Sequence, residues 1–257
     1  MSTYVYGIAA ASHPSLPEDM GGVGDPPRPV RILKAGDLVA VVSDAPEGLR
    51  PKRRDLLAHQ HVLGEAGAGG SVLPMRFGSV VPDDASVTRA LTERAEHYRE
   101  RLVALQGRAE YNVKATHDEE SVLHLVLGRN PQARAMVEAN QRAGGGTDED
   151  RMRLGEMIAG AIQDLEASDA EALLRALEPA AEAVSVGPES HGWLTNLSFL
   201  VERDCAEEFL AVVEQARKNH PHLALRVIGP LPPYSFVEPD PAAGTTAGRD
   251  SAPAHDC

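Results

Sequence analysis

The chain has almost no cysteine: Cys205 and Cys257 are the only two among 257 residues. That excludes a disulfide framework and any cluster of thiolate ligands for zinc or iron–sulfur, and it fits a reducing cytoplasm. Basic charge is also scarce. Twenty-five Lys and Arg stand against 38 Asp and Glu, a formal net charge of −13, so phosphate backbones and anionic lipid surfaces are repelled rather than bound. No apolar run approaches the roughly 20 residues that span a bilayer. Met1–Ala11 lacks a basic segment before its apolar stretch, so the expectation is a soluble, unexported protein. Aromatic residues make up 4% of the chain, and none falls between Tyr111 and Trp193. A helical layer is expected there, in place of an aromatic sheet core.

What is present reads as alternating short strands and amphipathic helices. Tyr4–Ala9 is a strand followed by a Gly- and Pro-rich loop, and residues 30–33 and 38–42 form a hairpin across Gly36-Asp37. Pro51 opens a helix to about Leu63. Its cations Lys52, Arg53 and Arg54 oppose the helix dipole and call for an acidic neighbour. Gly64–Gly70 stops it. Residues 71–77 then read as a strand interrupted by Pro74. Val87, Leu91, Ala95, Tyr98, Leu102 and Leu105 mark one helix ending at Gly107. Ala109–Ala115 alternates as a half-buried strand, and Val122–Leu127 is a further candidate strand. Asn130-Pro131, Thr147 and the pair Ser168/Glu171 start three successive helices, the last ending near Leu177 before Pro179.

A second unit begins at Val184. Trp193, Thr195, Leu197, Phe199 and Val201 alternate along a strand, Asp204 starts a helix, and Leu223, Leu225 and Val227 form the next strand. The expected fold class is α+β: two ferredoxin-like domains with antiparallel sheets, over residues 1–128 and 184–238, a helical connector over 129–183, and a disordered tail over 239–257.

The spacing of reactive residues argues against catalysis. His59-Gln60-His61 and His220-Pro221-His222 are the tempting metal pairs, but helix residues two apart point about 200° away from each other and Pro221 marks a turn. Neither pair is expected to hold metal. Cys205 stands at a helix start that would favour a thiolate, but the adjacent Asp204 carboxylate works against it, so it reads as a small core or boundary residue, and no hydrolase, zincin or phosphate-loop motif occurs. No catalytic residue, cofactor or metal ligand is therefore assigned. Two segments stand out. Val72-Leu73-Pro74-Met75-Arg76-Phe77-Gly78 carries a cation inside an apolar strand, and Gly229-Pro230-Leu231-Pro232-Pro233-Tyr234-Ser235-Phe236 is a stiff extended strip. The favoured reading buries Arg76 against a carboxylate such as Glu110; the other exposes it for recognition.

These segments resemble the gas vesicle accessory family GvpF/GvpL. The resemblance runs through Tyr4-Val5-Tyr6-Gly7-Ile8, His59-x-x-Val62-Leu63, the block from Leu73, Pro74, Arg76, Phe77 to Gly78, and Gly107-x-x-Glu110-x-x-Val113-Lys114. It ends in Gly229, Pro230, Pro233, Tyr234 and Phe236. The chain departs from the family pattern at Gly64, at Tyr111-Asn112 and at Leu231. The resemblance implies a protein without catalytic activity that helps build gas vesicles, contacts their small hydrophobic shell protein and other accessory proteins, and works in the cytoplasm at the vesicle. Nucleator, chaperone and minor wall component all remain open. The competing class is a small-molecule-binding or metal-dependent enzyme on the same scaffold, since this fold hosts many activities.

Overall fold

The computed structural model describes residues 1–14, 16–17, 19–188 and 192–238; the tail expected to be disordered lies outside them. The chain forms two compact units, Met1–Glu110 together with residues 230–238, and Tyr111–Gly229. These do not coincide with divisions at 128 and 183.

In the first unit, β1 (Thr3–Ala10) is central. The hairpin β2 (Arg31–Ala35) and β3 (Leu38–Asp44) turns at Gly36, whose φ of +62° suits glycine. β3 pairs antiparallel with β1, with a register shift between Val5 and Gly7. α1 (Arg53–Gly69) follows, then β4 (Val72–Pro74) and β5 (Val80–Val81), both antiparallel to β1. The strand order is β2-β3-β1-β4. α2 (Asp84–Glu93) and α3 (Ala95–Ala104) complete the unit. Its core gathers Tyr4, Tyr6, Val41, Val62, Leu63 and Ala66.

The second unit repeats that order with different crossovers. β6 (Arg108–His117) leads into α4 (Glu119–Arg129), α5 (Pro131–Arg142) and α6 (Asp148–Leu177). The antiparallel pair β7 (Ala183–Val186) and β8 (Thr195–Glu202) comes next, then α7 (Ala206–Asn219) and β9 (Leu223–Leu231). The sheet runs β7-β8-β6-β9. Counted within each unit, both sheets place their strands as second, third, first, fourth, the ferredoxin-like arrangement. The segment 129–183 thus supplies most of the first crossover of this unit instead of linking two domains.

Several local expectations are overturned. Val122–Leu127 is helical, because Asp118 caps the Ser121 amide and Val122 and Val126, four apart, are the buried pair. α1 starts at Arg53, beyond Pro51, and runs through Gly64–Gly69, since Val62, Leu63 and Ala66 keep a buried face that outweighs the weak propensity of glycine. The expected acidic neighbour is Asp25, paired with Arg54. The helix expected over 87–105 bends at Arg94 (φ −111°, ψ 22°), where nothing in the local sequence marks it. Ser168 does not cap a helix: α6 continues through it for 30 residues from the capping box of Thr147 and Asp150. Asp204 is likewise no cap, for it lies in a short 3-10 turn before α7.

Candidate functional site

His59 sits at 3% exposure on the inner face of α1, while His61 points outward. Its Nε2 lies 3.1 Å from the Met75 carbonyl and its Nδ1 lies 2.9 Å from the Tyr4 hydroxyl. A carbonyl only accepts, so Nε2 carries the hydrogen and Nδ1 accepts from Tyr4. The same hydroxyl accepts from the Gly78 amide at 3.1 Å. One neutral imidazole and one phenol therefore clamp both ends of the turn 75–78. Burial pushes the His59 pKa down and the Tyr4 pKa up, holding both groups uncharged. Tyr6 stacks on the His59 ring, Phe77 meets it edge-on, and Tyr234 stacks at 6.5 Å.

Tyr234 belongs to the terminal strip, whose Tyr234–Phe236 segment forms a 3-10 turn. Glu110 fixes this turn. Its carboxylate accepts from the Ser235 amide and hydroxyl, each at 2.8 Å. Burial, with the nearby Glu110 charge adding to it, raises the Tyr234 pKa to about 12. Arg101 donates to the Phe236 carbonyl at 2.6 Å, and Pro233 and Phe236 are buried. His59, Leu73, Pro74, Phe77, Gly78, Glu110, Pro233, Tyr234 and Phe236 thus all serve one unit, brought together from sequence positions far apart.

Arg76 does not share that role. The expectation of a buried Arg76–Glu110 pair is wrong: β4 ends at Pro74, the Met75 amide still donates to the Tyr6 carbonyl of β1 at 2.7 Å, the chain then loops away from β1 over 76–78, and Arg76 is exposed on the loop. The loop rejoins the sheet through Val5, whose amide donates to the Ser79 carbonyl at 2.9 Å. Gly78 takes φ +89°, which favours glycine. The Arg76 guanidinium makes no ion pair among the described residues, and Val80 beside the loop is 43% exposed. In the second unit, Lys114 lies over the Trp193 ring at 5.2 Å. Gly229 runs so close to Tyr111 that a Cβ would stand 2.4 Å from its ring, which only glycine permits; Pro230 beside it is exposed in β9.

The sequence profile described as "Gas vesicle synthesis protein GvpL/GvpF" matches residues 2–238. Gas vesicle protein F of Streptomyces sp. (strain CB03234) is 63% identical over 238 residues, covering 93% of this chain and all of that protein. The chain belongs to the GvpL/GvpF gas vesicle family. Gas vesicle protein L of the same organism is 30% identical over 274 residues, covering 96% of this chain and 97% of that one. The crystal structure of GvpF from Microcystis aeruginosa shares the fold, with a TM-score of 0.69 over 92% of this chain and 99% of that one at 23% identity. Membership supports a role in gas vesicles, and among the described residues no helix is long and apolar enough to cross a membrane.

One group in this GvpL/GvpF chain escaped the sequence reading. Local spacing pairs His222 only with His220, yet its neighbours are His117 and Asp169, at distances in sequence that no local spacing rule covers. A histidine ending one strand, another preceding the next strand, and an aspartate in a helix interior carry no shared motif. Asp169 alone gave a signal: it stands four residues before Leu173 and eight before Leu177, on the buried stripe of α6.

Proposed function

We propose that this chain binds the small hydrophobic gas vesicle shell protein in the cytoplasm and assists nucleation and assembly of the vesicle, without catalysing a reaction. Its family membership over residues 2–238 carries this reading. An unassembled shell subunit exposes apolar surface and strand edges that pair indiscriminately, so an assembly factor has to cover them reversibly. The edge formed by β4, the 75–79 loop and β5 supports such a contact. Its strands are only three and two residues long, which discourages self-pairing, and its loop presents an exposed arginine held from behind by Tyr4 and His59. Arginine offers five N–H donors in a planar fork, suited to carboxylate or carbonyl acceptors on a partner.

The test is capture of purified shell protein by the full chain and by Arg76→Glu. The parent should retain shell protein, and the variant should retain at least tenfold less. An exposed side chain with no partner among the described residues should change stability by no more than about 0.5 kcal/mol when replaced, so Arg76→Ala should keep the parent's urea midpoint. Absence of capture by the parent would overturn shell-protein binding. Full capture by the charge-reversed variant would remove the 75–79 loop from the contact.

A further inference from the structure

We infer that His117, Asp169 and His222 form a binding site for a divalent transition metal of the zinc class, within the second unit. The Nε2 atoms of both histidines lie 2.9 Å from the same atom, Oδ2 of Asp169. All three ligand atoms fall within 4.8 Å of one another. The three side chains are 10%, 9% and 12% exposed, in the order His117, Asp169, His222. Zinc bonds of about 2.0–2.2 Å in a tetrahedron set donor atoms roughly 3.3–3.6 Å apart. The two nitrogen–oxygen distances of 2.9 Å have to open by roughly half an ångström to reach that spacing, and the two nitrogens, within 4.8 Å of each other, have to close on the ion.

The arrangement is built rather than incidental. His117 is the last residue of β6, His222 immediately precedes β9, and these two strands are sheet neighbours. The Asp118 amide donates to the His222 carbonyl at 2.9 Å, which fixes the two strand ends against each other. The two imidazole rings lie 6.0 Å apart. Asp169 brings a carboxylate to the apolar stripe of α6, where the other buried residues are Leu173 and Leu177. A carboxylate there is costly unless it is paired or coordinates a cation.

Two imidazoles and one carboxylate select among metals. Magnesium and calcium require mostly oxygen ligands, whereas nitrogen-rich sites of this size suit zinc and its first-row neighbours. Each imidazole would bind the ion through Nε2 as its neutral tautomer, the hydrogen that Nε2 now directs at Asp169 being carried on Nδ1 instead, and the carboxylate offsets one of the two charges of the ion. Three protein ligands leave a fourth position for water. His117 also lines a cavity of about 1020 Å³ with Glu119, Leu123, Ile162, Glu166 and Trp193, which gives the ion an entry path. Bound metal would tie α6 to the adjacent ends of β6 and β9.

The test uses full-length protein carrying no polyhistidine tag, stripped with chelator and titrated with zinc chloride. Elemental analysis after removal of free ion should give one zinc per chain. At zinc about a hundredfold above its Kd, the melting temperature should rise by roughly 5–10 °C. Asp169→Asn and His222→Gln should lose both effects, while His61→Gln, on the exposed face of α1, should keep them. Ring resonances of His117 and His222, and not of His61, should shift in the parent on zinc addition, a readout that holds even if a variant fails to fold. No retained zinc in the parent, or equal zinc in Asp169→Asn, would overturn the site.

Discussion

At the scale of single residues, His59 shows how a polar side chain is made part of a core. Both ring nitrogens are satisfied, by the Tyr4 hydroxyl and by the Met75 backbone carbonyl, so removing the Tyr4 hydroxyl leaves a buried polar atom unpaired at a cost of about 1–3 kcal/mol. Burial holds its folded pKa below the ordinary value of 6.5, with the Met75 bond opposing the shift in part. The unfolded chain therefore takes up a proton at a pH where the folded chain does not. Stability from this group is complete above about pH 6.5 and is lost as pH falls from there toward the folded pKa. Urea unfolding between about pH 5 and 7 should show a steeper fall in the parent than in His59→Gln, which has no imidazole to titrate. Parallel curves would mean that His59 does not couple acid to unfolding. Arg76 teaches the converse at the same scale. An arginine within an apolar string reads as buried, yet the chain excludes it by ending β4 at Pro74 and looping outward. Alternation alone could not show this, because the departure from the sheet depends on Tyr4 and His59 reaching Gly78 and Met75 from elsewhere in the sequence.

At the scale of elements, the strands with strict alternation were legible and the helix boundaries were less so. β6 and β8 stand where alternation placed them, because side chains on opposite faces of a strand leave a period of two in the sequence, and β1 and the β2–β3 hairpin stand where a short β-branched run and the Gly36-Asp37 turn placed them. The short apolar run 122–127 fits strand or helix equally by periodicity, and the Asp118 cap decides for helix. Ser168 with Glu171 has the form of a capping box, but a cap needs a chain that enters from a non-helical residue, and here the preceding turns of α6 already satisfy the backbone. An exposed serine inside a helix contributes less than alanine. Ser168→Ala should therefore be neutral or stabilising by up to about 0.5 kcal/mol, measured as a change in urea midpoint at constant m-value. A loss near 1 kcal/mol, typical of a removed N-cap, would show that the helix starts anew at Ser168.

At the scale of the whole molecule, the order of elements along the chain conceals which unit each belongs to. Reading left to right puts β6 with the first unit and the last residues with the second. Residues 230–238 instead complete the first unit, where Tyr234 packs against the cluster of Tyr4, Tyr6, Val62 and Leu63, and Glu110 holds Ser235. The family motifs were visible in the sequence, but their convergence was not, since contacts between residues from 52 to 125 positions apart leave no local period. The His117–Asp169–His222 group was hidden for the same reason. The return of the terminal strip has a measurable consequence. Tyr234→Ala removes the ring stacked on His59 from a segment that follows the entire second unit in sequence. Hydrogen exchange followed by mass spectrometry should then show faster exchange in peptides covering β1, β3 and α1, with β8 and α7 keeping the parent's protection. Local openings report on the unit that lost the contact, while global opening reports on both. Equal loss of protection in all five elements would mean that the two units unfold as one, and loss confined to β8 and α7 would mean that the strip belongs where a linear reading places it.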